Sequence, residues 1–530
     1  MDALFGWIES SAAYLVLRAV NRSFWRAWRG SVLGRLCDGD LRAAWRRSLI
    51  GHGLASLAAW SRRGLIVPFG TALVGTQPSA LAGWLRRWIG AERAMFRATS
   101  FEKAALYFVV TFVPIENWLI TRLPSSSKYL GDLALLALLA LALLRLQQAG
   151  WPLRRTPADL PVLLLLAVAA LSTVWNAVPL SIAAFGTRAY VEYYALYLVL
   201  IYLPWGDRDR RALILWCIAL GVAIALLGDA QKFMHLATPR QWLSSIEQAT
   251  TRAFGTMGNP NTFGAFLVWL ASLLMALVAL PVRGGLRTLA LLGLAIALPA
   301  LVFTLSREAL LAAAASALVV GVIADRRLLL VLLLAVAALP LLDPHIVSRF
   351  ATALSADYIR QSGTYGRLFF LERGLHAFLA EPLLGWGPGR FGGSVAHMFG
   401  SPAYAFAHLG QRPIIDSQHV QTLVELGALG YIAYLGIGLA AVRTGLGLFR
   451  RDSDPFWRAI GLGLVAGTVG LYVQSLFASL LETHPVIIGF WLVFGLAVQR
   501  RLTHPVLPQG TWAAAPEGTG APSPASRNAE

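Results

Sequence analysis

Runs of 12 to 21 residues with almost no charge recur through this chain, and a bundle of membrane-crossing helices is the fold that uses them. Examples are 133–144, 160–174, 212–227, 263–280, 289–304 and 460–480. With their flanks these reach the roughly 17–25 residues that a helix needs to cross a bilayer. Inside hydrocarbon each backbone N–H and C=O needs a partner from within the protein, which leaves helices for segments of this length. Only 14% of the 530 residues are charged, against about a quarter in soluble domains. The expected fold class is all-α, a polytopic membrane protein. About twelve spans are expected, near 104–121, 129–146, 160–177, 187–204, 211–228, 261–281, 286–304, 308–324, 328–342, 418–441, 459–481 and 485–499.

The formal charge is +18. In a soluble protein that would suggest nucleic acid. Here the positive-inside rule explains it, so membrane lipids are expected as partners and nucleic acid is not. Given those spans, compact basic clusters such as Arg208/Arg210/Arg211, Arg326/Arg327 and Arg500/Arg501 fall in alternate loops on one side. That side is then cytoplasmic and holds both termini. Residues 1–100 interleave arginine and tryptophan, with Arg22, Arg26 and Arg29 on one helix face, as in amphipathic helices of the anionic leaflet. The apolar run 49–74 is split by Arg62 and Arg63 and reads as interfacial or re-entrant. Residues 101–503 form the transmembrane domain. The tail 504–530, rich in Pro, Gly, Ala and Ser, is expected to be disordered and cytoplasmic. The N-terminus lacks the order of a cleavable signal. Cys37 and Cys217 support neither a disulfide framework nor a zinc site.

The apolar pattern breaks once at length, over 343–416, on the side opposite the basic clusters. Loops of that size in a compact fold are usually functional. This one carries Arg349, Arg360, Arg367, Arg373, Arg390 and Arg412. Within it, 367–379 has helical periodicity and 381–391 reads as a turn-rich loop. Three more arginines break the positive-inside pattern: Arg188 in GTRAY, Arg252 in TTRAFGTMGNPNTFG and Arg307 in TLSREA. A guanidinium binds phosphate oxygens in bidentate fashion, and several together neutralise a pyrophosphate without a metal. Taken singly, each also fits a side chain snorkelling to the headgroups. Asn259 or Asn261 fits an N-cap for the next helix. The run GWGPG resembles a dinucleotide loop but lacks the flanking strand and helix.

Asp416, Ser417, Gln418 and His419 open the tenth span. Asp416 and His419, three apart, share a helix face. Either suits a general base toward a sugar hydroxyl. Equally, Asp416 suits an N-cap and His419 an interfacial polar residue. Glu425 lies deeper and must face protein or water; bonding to a neighbouring helix would satisfy it.

Three segments together carry a resemblance: TTRAFGTMGNPNTFGAFL, TLSREALLAAAASAL, and RLFFLERGLHAFLAEPLLGWGPGRF followed by DSQHVQTLVELGALGY. They resemble the bacterial O-antigen ligase and O-antigen polymerase superfamily of polytopic glycosyltransferases, across roughly 160–500. The resemblance implies a GT-C-like helical fold in the cytoplasmic (inner) membrane, with a large outer loop between two late spans. It implies a polyprenyl-pyrophosphate-linked oligosaccharide donor, a glycan or lipid acceptor, and transfer without metal or cofactor. Arg252 and Arg307 match the positions expected to hold pyrophosphate, with Arg188 and Arg367 as further candidates. Ligases of the family carry His-Asn or His-Ser shortly before a Gly-x-x-Gly turn. Here the turn is Gly427 to Gly430 and the pair is Asp416-Ser417. Related capsule, exopolysaccharide and cell-wall polymerases use aspartate there. The resemblance thus points to Asp416 as base and to polymerisation over ligation, with His419, one helical turn away, as a partial substitute. A transporter or lipid-linked glycan flippase would share the span count and basic surface. Against it, the spans hold few mid-bilayer charges and no related pair of broken helices.

Overall fold

The structure is a computed structural model that describes residues 100–122, 129–148, 154–203, 205–239, 251–327, 329–330, 333–334, 337, 350–352, 355–402 and 416–503. The chain divides into two compact units, Met1–Ala94 and Met95–Glu530. The first unit, most of the 328–342 span, Arg349, Arg412 and the tail after Thr503 lie outside the described residues.

The described part is helical, without a strand. In chain order the helices are α1 (Ser100–Ile120), α2 (Leu130–Gln148), α3 (Asp159–Trp175), α4 (Leu180–Val191), α5 (Tyr194–Tyr202), α6 (Asp207–Phe233), α7 (Pro260–Ala279), α8 (Gly284–Phe303) and α9 (Arg307–Ile323). The long interval contributes α10 (Ala356–Tyr365), α11 (Arg367–Ala380) and α12 (Gly393–Phe399). Then come α13 (Gln418–Arg451), α14 (Pro455–Gln474), a 3-10 turn (Leu480–Glu482) and α15 (His484–Thr503).

Among the described residues seven helices are long and apolar enough to cross a membrane: α1, α6, α7, α8, α13, α14 and α15. Shorter apolar stretches are Leu130–Leu143 and Asp159–Trp175. The protein is thus a multi-pass, all-helical membrane protein. One expected span is corrected. The run 187–204 is divided between α4 and α5: regular helical hydrogen bonding is interrupted at the turn Glu192–Tyr193, although both residues keep right-handed helical dihedrals. There Glu192 pairs with Arg188 at 2.8 Å and lies 3.7 Å from His484. Arg188 therefore ends α4 rather than opening a span.

Helix α14 is the hub, packed against α7, α9 and α13. Lipid offers no hydrophobic drive to pair helices, so close approach of backbones through small residues does the work. A Cβ on Gly461 would stand 2.6 Å from the Gly445 carbonyl oxygen of α13, and one on Gly470 2.3 Å from Ser316 Oγ of α9. One end of this bundle is laced by ion pairs. Arg500 reaches Asp452 at 2.8 Å and Asp207 at 2.9 Å, and Arg211 pairs with Asp207 and Asp454. The opposite end gathers the starts of α7, α9, α13 and α15 with the ends of α8 and α14, and it carries the candidate site.

Helix α13 is broken near that end. Gly427 takes φ 64° and ψ −169°, a left-handed φ that favours glycine. The break frees backbone groups, and the turn-rich loop takes them up. Trp386 N donates to Val424 O (2.8 Å) and Gly387 N to Glu425 O (2.9 Å), while Ala428 N donates to Pro382 O (2.8 Å). That is what the GWGPG run does: its backbone completes a transmembrane helix. A Cβ at Gly427 would lie 2.3 Å from Leu383 O. Gly427→Ala is therefore expected to destabilise by about 2–4 kcal/mol, from the left-handed φ and the clash together. A fall in melting temperature with unchanged membrane insertion checks it.

Candidate active site

The site starts at the turn between α8 and α9. A helix ends with carbonyls that have no intrahelical partner. Here Phe303 O accepts from Ala253 N at 2.9 Å and Thr304 O from Arg252 Nε at 2.8 Å. The buried Arg252 thus sits at the negative end of the α8 dipole. Its Nη2 also donates to Asn261 Oδ1 at 2.7 Å. Asn259, not Asn261, caps α7, accepting from Asn261 N at 2.8 Å with Pro260 following. The two asparagines divide the labour: one starts the helix, the other aims the arginine.

Leu305 follows with φ 51°, a strained conformation for a γ-branched side chain. It reverses the chain within three residues, so Arg307 and Glu308 open α9 beside the end of α8. Arg307 Nη2 donates to the Tyr358 hydroxyl (3.1 Å), and its guanidinium stands 5.2 Å from that ring's centroid. Glu308 is buried, 5% exposed, and faces Arg367 Nη2 at 3.7 Å. Consecutive residues of α9 thus hold α10 and α11 of the long interval.

Asp416 lies just outside α13. The cap of that helix is Ser417, whose hydroxyl accepts from Val420 N at 3.4 Å, so the Asp416 carboxylate is left out of capping. Burial pushes its pKa up to about 6; Arg367 opposes the shift, and Glu308 and Glu482 add to it. An acid poised there is mostly ionised at neutrality and still basic enough to take a proton, as a general base requires. The Asp416 end of α13 is tied to the arginine turn: Gln418 N donates to Ser475 O (2.9 Å), and Gln474 Nε2 donates to Asn261 O (3.4 Å).

The other expected site residues fall elsewhere. His419 Nε2 lies 3.0 Å from Tyr472 O, a group that only accepts, so Nε2 carries the proton. Nδ1 then accepts from the Tyr431 hydroxyl at 2.9 Å. The rings of Tyr431, Tyr434 and Tyr472 surround the imidazole. One nitrogen ties α13 to α14 and the other ties His419 to Tyr431 across the Gly427 break in α13 itself. Arg188 pairs with Asp132 (2.7 Å) and Glu192 (2.8 Å).

Three acids join the site, of which the sequence singles out Glu425 and passes over Glu308 and Glu482. Glu308 was hidden by its neighbour in SREA. Glu482 lies in the turn before α15 and takes up Ser394 N and Oγ, both at 2.6 Å, and Gln421 Nε2 at 2.8 Å. Glu425 satisfies not a neighbouring helix alone but the loop. Its Oε1 accepts from Phe391 N (3.0 Å) and Gly392 N (3.2 Å), its Oε2 from the Tyr190 hydroxyl of α4 (3.0 Å). A buried acid followed two residues later by glycine was the available signal.

Residues 292–435 match the protein family described as O-antigen ligase. The match runs from α8 into α13 and takes in Arg307, Glu308, Arg367, Asp416, His419 and Glu425; Arg188, Arg252 and Glu482 lie outside it. No curated protein sequence matches the chain.

Proposed function

We propose that this chain, whose residues 292–435 form an O-antigen ligase domain, is a glycosyltransferase that elongates or transfers a polyprenyl-pyrophosphate-linked glycan. It works at the outer face of the bacterial cytoplasmic membrane, on an acceptor hydroxyl of a growing glycan or a lipid. Arg307 and Arg367 grip the departing diphosphate, and the buried Arg252 adds positive potential behind them. Asp416 accepts the acceptor's hydroxyl proton as the oxygen attacks the anomeric carbon. The sugar–phosphate C–O bond breaks and its electron pair leaves with the diphosphate. Permanent guanidinium charge does the work a cation would do elsewhere, so the reaction proceeds without metal. The helices of the long interval cover the site against water.

The observation that carries this reading is one carboxylate, outside any helix cap, sharing Arg367 with the start of α9 where Arg307 stands. Aspartate at this position, where ligases of the family resembled carry histidine, favours polymerisation. His419 is left with a packing role.

The test is purified full-length protein in liposomes with lipid-linked oligosaccharide and no ion gradient. New glycosidic bonds are expected. Arg307→Gln and Arg367→Gln should each raise the donor KM about 10- to 100-fold, the loss of one charge-assisted contact. Donor translocation without bond formation would instead identify a flippase.

A further inference from the structure

We infer that Glu308 is a positioning residue: it holds Arg367 between itself and Asp416 until a diphosphate draws that guanidinium away, so that donor binding readies the base. This rests on the reading of Asp416 as the base, and it adds a residue and an order of events to it.

Glu308 is an odd neighbour for an anion site. It is 5% exposed, it follows a proposed phosphate-binding arginine, and its Oε1 has no hydrogen-bond partner among the described residues. A buried carboxylate is costly unless something steadies its charge. Two features do: the first turn of α9, whose dipole favours an anion, and Arg367 at 3.7 Å. That separation is an ion pair without a hydrogen bond. Arg367 is thus held loosely, with its side chain 39% exposed, and re-aiming it breaks no directed bond to Glu308.

The groups facing Asp416 come from three elements: Arg367 from α11, Glu308 from α9 and Glu482 from the 3-10 turn. Arg367 is the cation of the three. While it pairs with Glu308 its charge also lowers the basicity of Asp416. A diphosphate ester offers it two or more charged oxygens in a bidentate geometry, a better partner than one carboxylate oxygen at 3.7 Å. Once it turns, Asp416 is left facing two anions and becomes more basic, at the moment the leaving group is in place. An acceptor hydroxyl then loses its proton to Asp416 only in the loaded enzyme, which limits attack without donor.

Glu308→Gln, in the full-length protein with lipid-linked oligosaccharide, tests this. Removing the charge frees Arg367 for the donor and removes a negative neighbour from the phosphates, so the donor KM should fall about fivefold. Asp416 loses an anion that raises its basicity, so the acid limb of kcat should move down by about one pH unit. Turnover at neutral pH should fall as the base weakens. Glu308→Asp should restore the limb. A residue that merely supports the fold would lower activity or melting temperature and leave the limb and the KM in place; that outcome overturns the inference. Asp416→Asn in the same assay separates the two failures. An inactive Asn variant with an unmoved Glu308→Gln profile defeats this inference alone. An active one removes the base on which both depend.

Discussion

Asp416→Asn is expected to leave a protein that inserts, folds and binds donor, yet transfers glycan about 10²- to 10⁴-fold more slowly. The amide keeps the shape and cannot take the proton. In the donor-free wild-type protein the carboxyl titrates at about 6, so kcat/KM should fall about tenfold per pH unit below that value as the base is protonated. The sign for stability runs the other way. The group's folded pKa lies above its ordinary value near 3.9, so its contribution to stability is present below about pH 4 and is lost as pH rises through about 6. At neutral pH the native carboxylate is a burden on the fold, which the Asn variant sheds. Its melting temperature at pH 7.5 should equal or exceed that of wild type. Thermal unfolding at pH 5 and pH 8, beside initial rates over the same range, checks both halves. A variant that unfolds early would show Asp416 to be a structural residue.

Glu425→Ala is expected to destabilise by on the order of 3–5 kcal/mol and to abolish transfer with it. The carboxylate accepts from two loop N–H groups and a tyrosine hydroxyl, and each donor stranded in a buried site costs about 1–3 kcal/mol. Glu425→Gln keeps an acceptor for the loop and turns a donor toward Tyr190, whose hydroxyl also accepts. It should recover most of the stability. Limited proteolysis across 382–392 separates the two variants: rapid cleavage in Ala, protection in Gln.

Much of the membrane architecture was legible because hydrocarbon allows the backbone so few choices. Asn259 and Pro260 announced the start of α7, and the period of 367–379 announced α11. The break between α4 and α5 was not legible, since Tyr193 through Ile201 is apolar on every side and His484, which lies 3.7 Å from Glu192, is far away in sequence. Cap assignment at 416–417 was open because Asp and Ser both serve, and the distinction that matters for chemistry lies in which one the helix uses. The arginines could be named from their wrong-side placement. That Arg252 and Arg367 attach to the Thr304–Glu308 turn while Arg188 pairs with Asp132 and Glu192 depends on tertiary packing. His419 drew attention for its chemistry, and only its two nitrogen partners reveal its packing role.

The pairing of 382–387 with the broken α13 restricts how members of such a family can diverge. A loop whose peptide groups finish a membrane helix cannot be exchanged for another of equal length, because the recipient span would be left with bare amides in lipid. Chimaeras that move 382–392 without 422–430 should therefore misassemble. Acceptor preference is free to drift in α10, whose Tyr358 meets Arg307 at the α9 start, whereas α11 is held to α13 by Phe370 and Ala377 against Val420 and Val424.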